Sequence, residues 1–278
     1  MALALALASI SHATAIYPTL VPGTNTLAAN DDSSSPSTGI GFTVNYFGTN
    51  YSNLFANNNG NVTFNGSLAT YTPFGLTGAT ARPIIAPFFA DVDTRGTLSG
   101  LLTYGVGSFT TNDSVVRNVF VANWNGVGYY AAQSNLLNYV QLVLVDRSET
   151  GAGNFDIVFN YDGIQWESGS ASGGTGGLGG NSARVGYSAG TGAPGSFNEF
   201  TGSGVNGAFL DSGPSGTALI HNSNVPLLDP LYTRIDGRYV MTVRNGEVSG
   251  SNDTPEPGTF ALAGLALTAI GVLRRRTR

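Results

Sequence analysis

Tyr139-Val140-Gln141-Leu142-Val143-Leu144-Val145 is apolar at nearly every position. That is the composition of a central strand buried on both faces. Further along, Phe155, Ile157, Phe159 and Tyr161 alternate with other residues, the period-2 signature of a half-buried strand. Upstream, Ile40, Phe42, Val44 and Tyr46 follow the same rule, and Val62 and Phe64 come after the turn-rich Asn57-Asn58-Asn59-Gly60. Downstream, Ala183, Val185 and Tyr187 repeat it briefly, and Tyr239, Met241 and Val243 form a last strand. Pro83-Ile84-Ile85-Ala86-Pro87 is stiff and apolar and is expected to enter the core. Short strands joined by Gly and Asn turns predict an all-β domain, a two-layer β-sandwich-like fold with almost no helix. Trp124 and Trp166 are expected to lie largely buried within it.

Composition agrees. The chain has 278 residues, 41% of them hydrophobic, enough for one large domain with a proper core. Charged residues make up only 10%, and there are 39 glycines. Long helical faces normally carry Glu, Lys and Arg, and this chain has no lysine. Residues 16–258 hold 8 arginines against all 17 acids, a net charge of −9. A domain so acidic does not bind nucleic acid by counter-ion release. Cysteine is absent, which excludes disulfides and thiolate metal sites. An exported domain without them must be held by its core, which suits a bacterial origin.

Both ends read as export signals. Residues 2–10 are almost wholly apolar, and Ala13-Thr14-Ala15 is an A-x-A cleavage site. Residues 1–15 are therefore expected to be a signal peptide, residues 16–246 the β domain and residues 247–254 a polar linker. Residues 255–278 carry Pro255-Glu256-Pro257, an apolar run over 260–273, and Arg274, Arg275, Arg276 and Arg278. The fourteen residues of that run span about 21 Å as a helix, short of a hydrocarbon core of about 30 Å. The arginine cluster stays cytoplasmic by the positive-inside rule, so the predicted C-terminal hydrophobic helix acts as a stop on export. This order of features resembles the PEP-CTERM sorting tail of Gram-negative bacteria. The resemblance implies an exosortase-type processing enzyme, transient anchoring in the inner membrane, and a host that makes extracellular polysaccharide.

A search for chemistry finds little. His221 is the one histidine after residue 15, and no serine sits in a G-x-S-x-G elbow. P-loop and H-E-x-x-H motifs are absent. No catalytic residue is assigned, and no enzyme is expected. Asp91-Val92-Asp93-Thr94-Arg95 is the best polar constellation. On a strand, carboxylates at i and i+2 point to one side, where Asp91 and Asp93 can hold Ca²⁺ among six to eight oxygens. Alternatively, Arg95 neutralises one carboxylate and the other bonds turn amides. Asp162 with Glu167 is a weaker pair. Tyr46, Phe47, Tyr51, Trp124, Tyr129, Tyr130 and Trp166 are aromatic groups that either stack on sugars or fill the core. Residues 168–180, rich in Gly and Ser, are expected to be a mobile surface loop.

A further resemblance runs over about 45–245. It begins with Asn58-Asn59-Gly60-Asn61-Val62-Thr63-Phe64, and Pro83 through Asp91-Val92-Asp93-Thr94-Arg95 follows. Next come Trp124-Asn125-Gly126-Val127-Gly128-Tyr129-Tyr130 and Tyr139-Val140-Gln141-Leu142-Val143-Leu144. Phe159-Asn160-Tyr161-Asp162-Gly163-Ile164-Gln165-Trp166, Val185-Gly186-Tyr187 and Gly237-Arg238-Tyr239-Val240 complete the series. In this order the motifs resemble the nidogen-like extracellular (NIDO) domain. The resemblance implies an extracellular, non-catalytic role in cell–matrix adhesion, with matrix components or polysaccharide as partners. A carbohydrate-binding module for exopolysaccharide is the alternative.

Overall fold

The alternating and doubly apolar segments all become strands. A computed structural model describes residues 14–20, 25–80 and 82–250. Thirteen strands run through them: β1 (Asn25–Thr26), β2 (Thr38–Tyr46), β3 (Thr49–Asn57), β4 (Asn61–Thr63), β5 (Ile84–Phe89), β6 (Leu102–Thr110), β7 (Val116–Tyr129), β8 (Gln133–Asp146), β9 (Phe155–Gly163), β10 (Arg184–Ser188), β11 (Phe197–Glu199), β12 (Arg238–Arg244) and β13 (Glu247–Ser249). Helix is confined, among the described residues, to 3₁₀ turns of three residues each. One sheet has the order β1-β6-β7-β8-β9-β12-β13, the other β11-β10-β5-β4-β3-β2. Every strand pairing is antiparallel.

The core lies between the sheets. Leu142 and Leu144 on β8 point inward with Phe120, Phe159 and Trp124, against Ile85 and Phe88 of β5 in the facing sheet. Val143 and Val145 of the same strand point outward, and are buried too. Residues from the segments before β1 and after β11, among them Leu20, Val225 and Tyr232, cover that outer face. This explains why the β8 sequence does not alternate: both of its faces are dry. Strand β5 is likewise buried throughout, with Ile85 and Phe88 in the main core and Ile84, Ala86 and Phe89 in a smaller cluster. Trp124 and Trp166 are 1% and 0% exposed.

The central hairpin strands β7 and β8 have 14 residues each. Two expectations are revised. Residues 168–180 are packed against the domain: Ser168 and Ser172 are buried, and Gly177 O accepts from the amides of Glu167 and Ser168 at 2.8 and 3.0 Å. Glycines at positive φ let that loop fold on itself, and Gly180 would clash with the Ser172 and Gly173 backbone if it carried a side chain. Finally, Glu247–Ser249 at the start of the expected linker pairs with β12 as an edge strand. The predicted C-terminal hydrophobic helix, the sorting motif and the arginine stop at 255–278 lie outside the described residues, as do residues 1–13 of the expected signal peptide. Among the described residues no helix is long and apolar enough to cross a membrane.

Candidate functional site

The turn after β5 is built together with the Asn58-Asn59-Gly60 turn. Asn58 Nδ2 donates to Asp31 O at 2.5 Å and to Val92 O at 2.7 Å. Asn59 Oδ1 accepts from Val92 N at 2.9 Å, and Asn59 Nδ2 donates to Asp32 Oδ1 at 2.9 Å. Gly60 has a φ of +73°, and a Cβ there would collide with the Phe88 carbonyl. Trp124 Nε1 closes the unit from below, donating to Asn58 O at 2.9 Å.

Asp91 and Asp93 meet different partners in this turn. Arg95 grips Asp93 with Nε on Oδ1 at 2.8 Å and a terminal guanidinium nitrogen on Oδ2 at 2.6 Å. The amides of Arg95 and Ala132 add bonds at 2.9 and 2.7 Å. Burial pushes the Asp93 carboxyl up, but the bonds from Arg95 and Ala132 outweigh it and hold the carboxyl below its usual range. Arg95 also reaches Asp31 at 3.0 Å. Asp91 is 1% exposed, and neither of its oxygens has a hydrogen bond of good geometry; the donors that approach it are the Ser172 hydroxyl and amide. It lies against Gly169, where any side chain would strike the carboxylate. Burial, only partly offset by Ser172, pushes it up to about 7. Asp31 rises to about 6 through burial and the nearby Asp93 and Asp32. Among the described residues no three His, Asp or Glu side chains form a group able to hold a metal ion. A cation here would have to draw on neutral oxygens such as Asn58 Oδ1, which is buried and unpaired.

The second acidic pair is also divided. Glu167 is buried and accepts from Gly207 N at 2.7 Å and Phe209 N at 2.6 Å, which pins a loop. Asp162 accepts from residues 14–16. His221 is exposed, with Nε2 2.8 Å from Asp211 O. Among the described residues, its ring hydrogen-bonds to that backbone carbonyl, not to a serine or a carboxylate.

The aromatic residues split into two groups. Tyr46, Trp124, Tyr129 and Trp166 fill the core. Phe47 and Tyr51 are half-buried and line a cleft of about 670 Å³, rimmed by Thr49, Thr191, Ser196 and Asn245. Phe47 sits at φ 51° in the β2–β3 turn, and its ring packs against the buried Tyr46 and Tyr187.

One charged network escaped the sequence reading. Asp156 on β9, 0% exposed, pairs with Arg147 at 2.7 Å and with Arg244 at 2.7 Å, and accepts from the Tyr232 hydroxyl at 2.7 Å. Its place in an alternating strand marks it as outward-pointing, and nothing in the local sequence shows that a distant loop covers that face.

Residues 52–243 match the Nidogen-like domain. The chain belongs to that family. The match takes in most of β3 through nearly all of β12, with the Asp91–Arg95 turn between them, and residues 253–276 match the PEP-CTERM protein-sorting motif. Neither is a catalytic family. Relatives include alpha-tectorin of Mus musculus, 33% identical over 177 residues, covering 58% of this chain and 8% of the tectorin. Alpha-tectorin of Gallus gallus is 31% identical over 198 residues, 65% of this chain and 9% of the relative. Nidogen of Drosophila melanogaster is 28% identical over 151 residues, 47% and 11%. The chain therefore spans only about a tenth of the length of these relatives. No solved structure matches. Domain and motif together support an exported, exosortase-sorted surface protein.

Proposed function

We propose that this protein is a non-catalytic adhesion component of a Gram-negative cell surface or its matrix. The observation that carries the reading is the joining of a nidogen-like domain at 52–243 to a PEP-CTERM motif at 253–276 in one chain. The apolar run at 260–273 lodges in the inner membrane during export, with Arg274, Arg275, Arg276 and Arg278 left in the cytoplasm. An exosortase-type enzyme then acts at Pro255-Glu256-Pro257 and frees the domain for the surface. A deletion of the exosortase gene should trap the chain in the inner membrane with its arginine tail intact; normal surface display in that strain would sink the reading.

The cleft at Phe47 and Tyr51 favours exopolysaccharide as the matrix partner. Half-exposed rings beside hydroxyl and amide side chains suit a sugar, with an apolar face for the ring and polar groups for its hydroxyls. Retention on columns of the host's own polysaccharide should fall at least tenfold for Tyr51→Ala, with the fold intact by circular dichroism. Unchanged retention would leave adhesion to a protein partner as the role.

A further inference from the structure

Residues 14–20 come before the first strand, yet side chains of the sheet hold them against it. Asp162, near the end of β9, receives them. Thr14 Oγ1 donates to Oδ2 at 2.5 Å, Ala15 N to Oδ1 at 2.6 Å and Ile16 N to Oδ1 at 3.2 Å. Ala15 is 1% exposed, and its methyl lies 3.1 Å from where a Cβ on Gly237 would stand. The Ala15 carbonyl accepts from the buried Arg238 guanidinium at 2.5 Å. That guanidinium covers the Tyr17 ring at 4.0 Å. Gln141 ties Tyr17 down from both sides, accepting from its amide at 3.1 Å and donating to its carbonyl at 3.3 Å.

Ala15 therefore behaves as a core residue. A cut after it would empty its packing slot, remove an acceptor from a buried guanidinium, and leave Asp162 with one of three donors. The cost falls on Arg238, whose buried guanidinium would lose its acceptor, whereas Asp162 is exposed and its freed oxygens can bond to water. Small residues in the −3 and −1 positions also occur two residues earlier, at Ser11 and Ala13. Resting on the export reading above, we propose that the leader is removed between Ala13 and Thr14, two residues before the cut that the A-x-A pattern predicts, and that Asp162 is the receptor for the new N-terminus. A leader peptidase breaks the Ala13–Thr14 C–N bond; water gives its hydroxyl to the Ala13 carbonyl carbon and its proton to the Thr14 nitrogen. That nitrogen is largely an ammonium near neutral pH, with a pKa of about 7.7–8.0. It lies within one residue of the Asp162 carboxylate, so processing adds a charge pair to a clamp that the peptide amides already form.

The test is the N-terminal residue of the full chain after export, read by mass spectrometry of surface protein. Thr14 is expected. Ile16 overturns the assignment and leaves export standing, whereas a retained Met1 overturns both. Ser11→Arg places a charge at −3 of the proposed site but outside the −3/−1 pair of the later one, and should abolish the Thr14 terminus. An undiminished Thr14 terminus in that variant means trimming, not a leader cut, and overturns the assignment. Asp162→Asn, exported and purified, should lower Tm by about 2–4 °C. An unchanged Tm overturns the receptor role.

Discussion

Arg95 closes a two-point ion pair on Asp93, while Asp91, two residues away, is buried without an arginine. The two carboxylates therefore respond to pH in opposite ways, although the sequence offers them as a pair.

Asp93 is held below its usual range, so it contributes stability above the unfolded pKa of about 3.9, and that stability is lost as pH falls through the folded value. Asp93→Asn should cost about 1.5–3 kcal/mol at pH 7. The deficit should shrink towards pH 2. Thermal melts of both proteins between pH 2 and 7 test this, and a deficit independent of pH would contradict it.

Asp91 has the reverse sign. Its folded pKa of about 7 lies above the unfolded one, so its contribution is fully present below about pH 4 and is lost as pH rises towards 7. Asp91→Asn should therefore match or exceed the natural protein in Tm at pH 8, while gaining nothing at pH 4. The same melts with calcium and with chelator examine the cation alternative. Equal Tm is expected, because Asp93 is already saturated by Arg95 and two amides; a calcium-dependent rise lost in Asp91→Asn would put the ion at this turn.

Gly60 is the position where the Asn58-Asn59-Gly60 turn meets β5, Phe88 N donating to its carbonyl at 3.1 Å. Gly60→Ala adds a methyl against the Phe88 carbonyl at a φ of +73°. The cost should be about 3 kcal/mol or more. Urea unfolding gives the number, and a loss under about 1 kcal/mol, no more than an L-residue costs in the left-handed region by itself, would mean the turn can open.

Asp156, itself fully buried, is shared by Arg147 and Arg244. Asp156→Ala leaves both without their shared carboxylate and frees Tyr232, so stability should fall by about 3–5 kcal/mol. Limited proteolysis should then cut first in 222–236, the loop that Tyr232 fastens. Resistance equal to the natural protein would show that apolar contacts alone hold it.

Much of the fold was legible in the sequence. Period-2 runs such as Phe155 to Tyr161 state which residues share a face, and a doubly apolar run such as Tyr139 to Val145 states that both faces are covered. Those signals are local, because a strand's side chains alternate whatever it pairs with. The sorting tail was legible for the same reason: Pro-Glu-Pro, an apolar run and an arginine cluster act in order along the chain. Strand partners were not legible, nor was the segment that covers the outer face of β8, since both depend on contacts between distant residues. The candidate site divides along the same line. The sequence by itself determined that Asp91, Asp93 and Arg95 lie in one turn. Only the tertiary structure decided that Arg95 takes Asp93, that Gly169 closes over Asp91, and that Asp162 faces residues 14–16. Which carboxylate is charged, paired or buried depends on what the rest of the fold brings against it, and that is a property of packing, not of spacing.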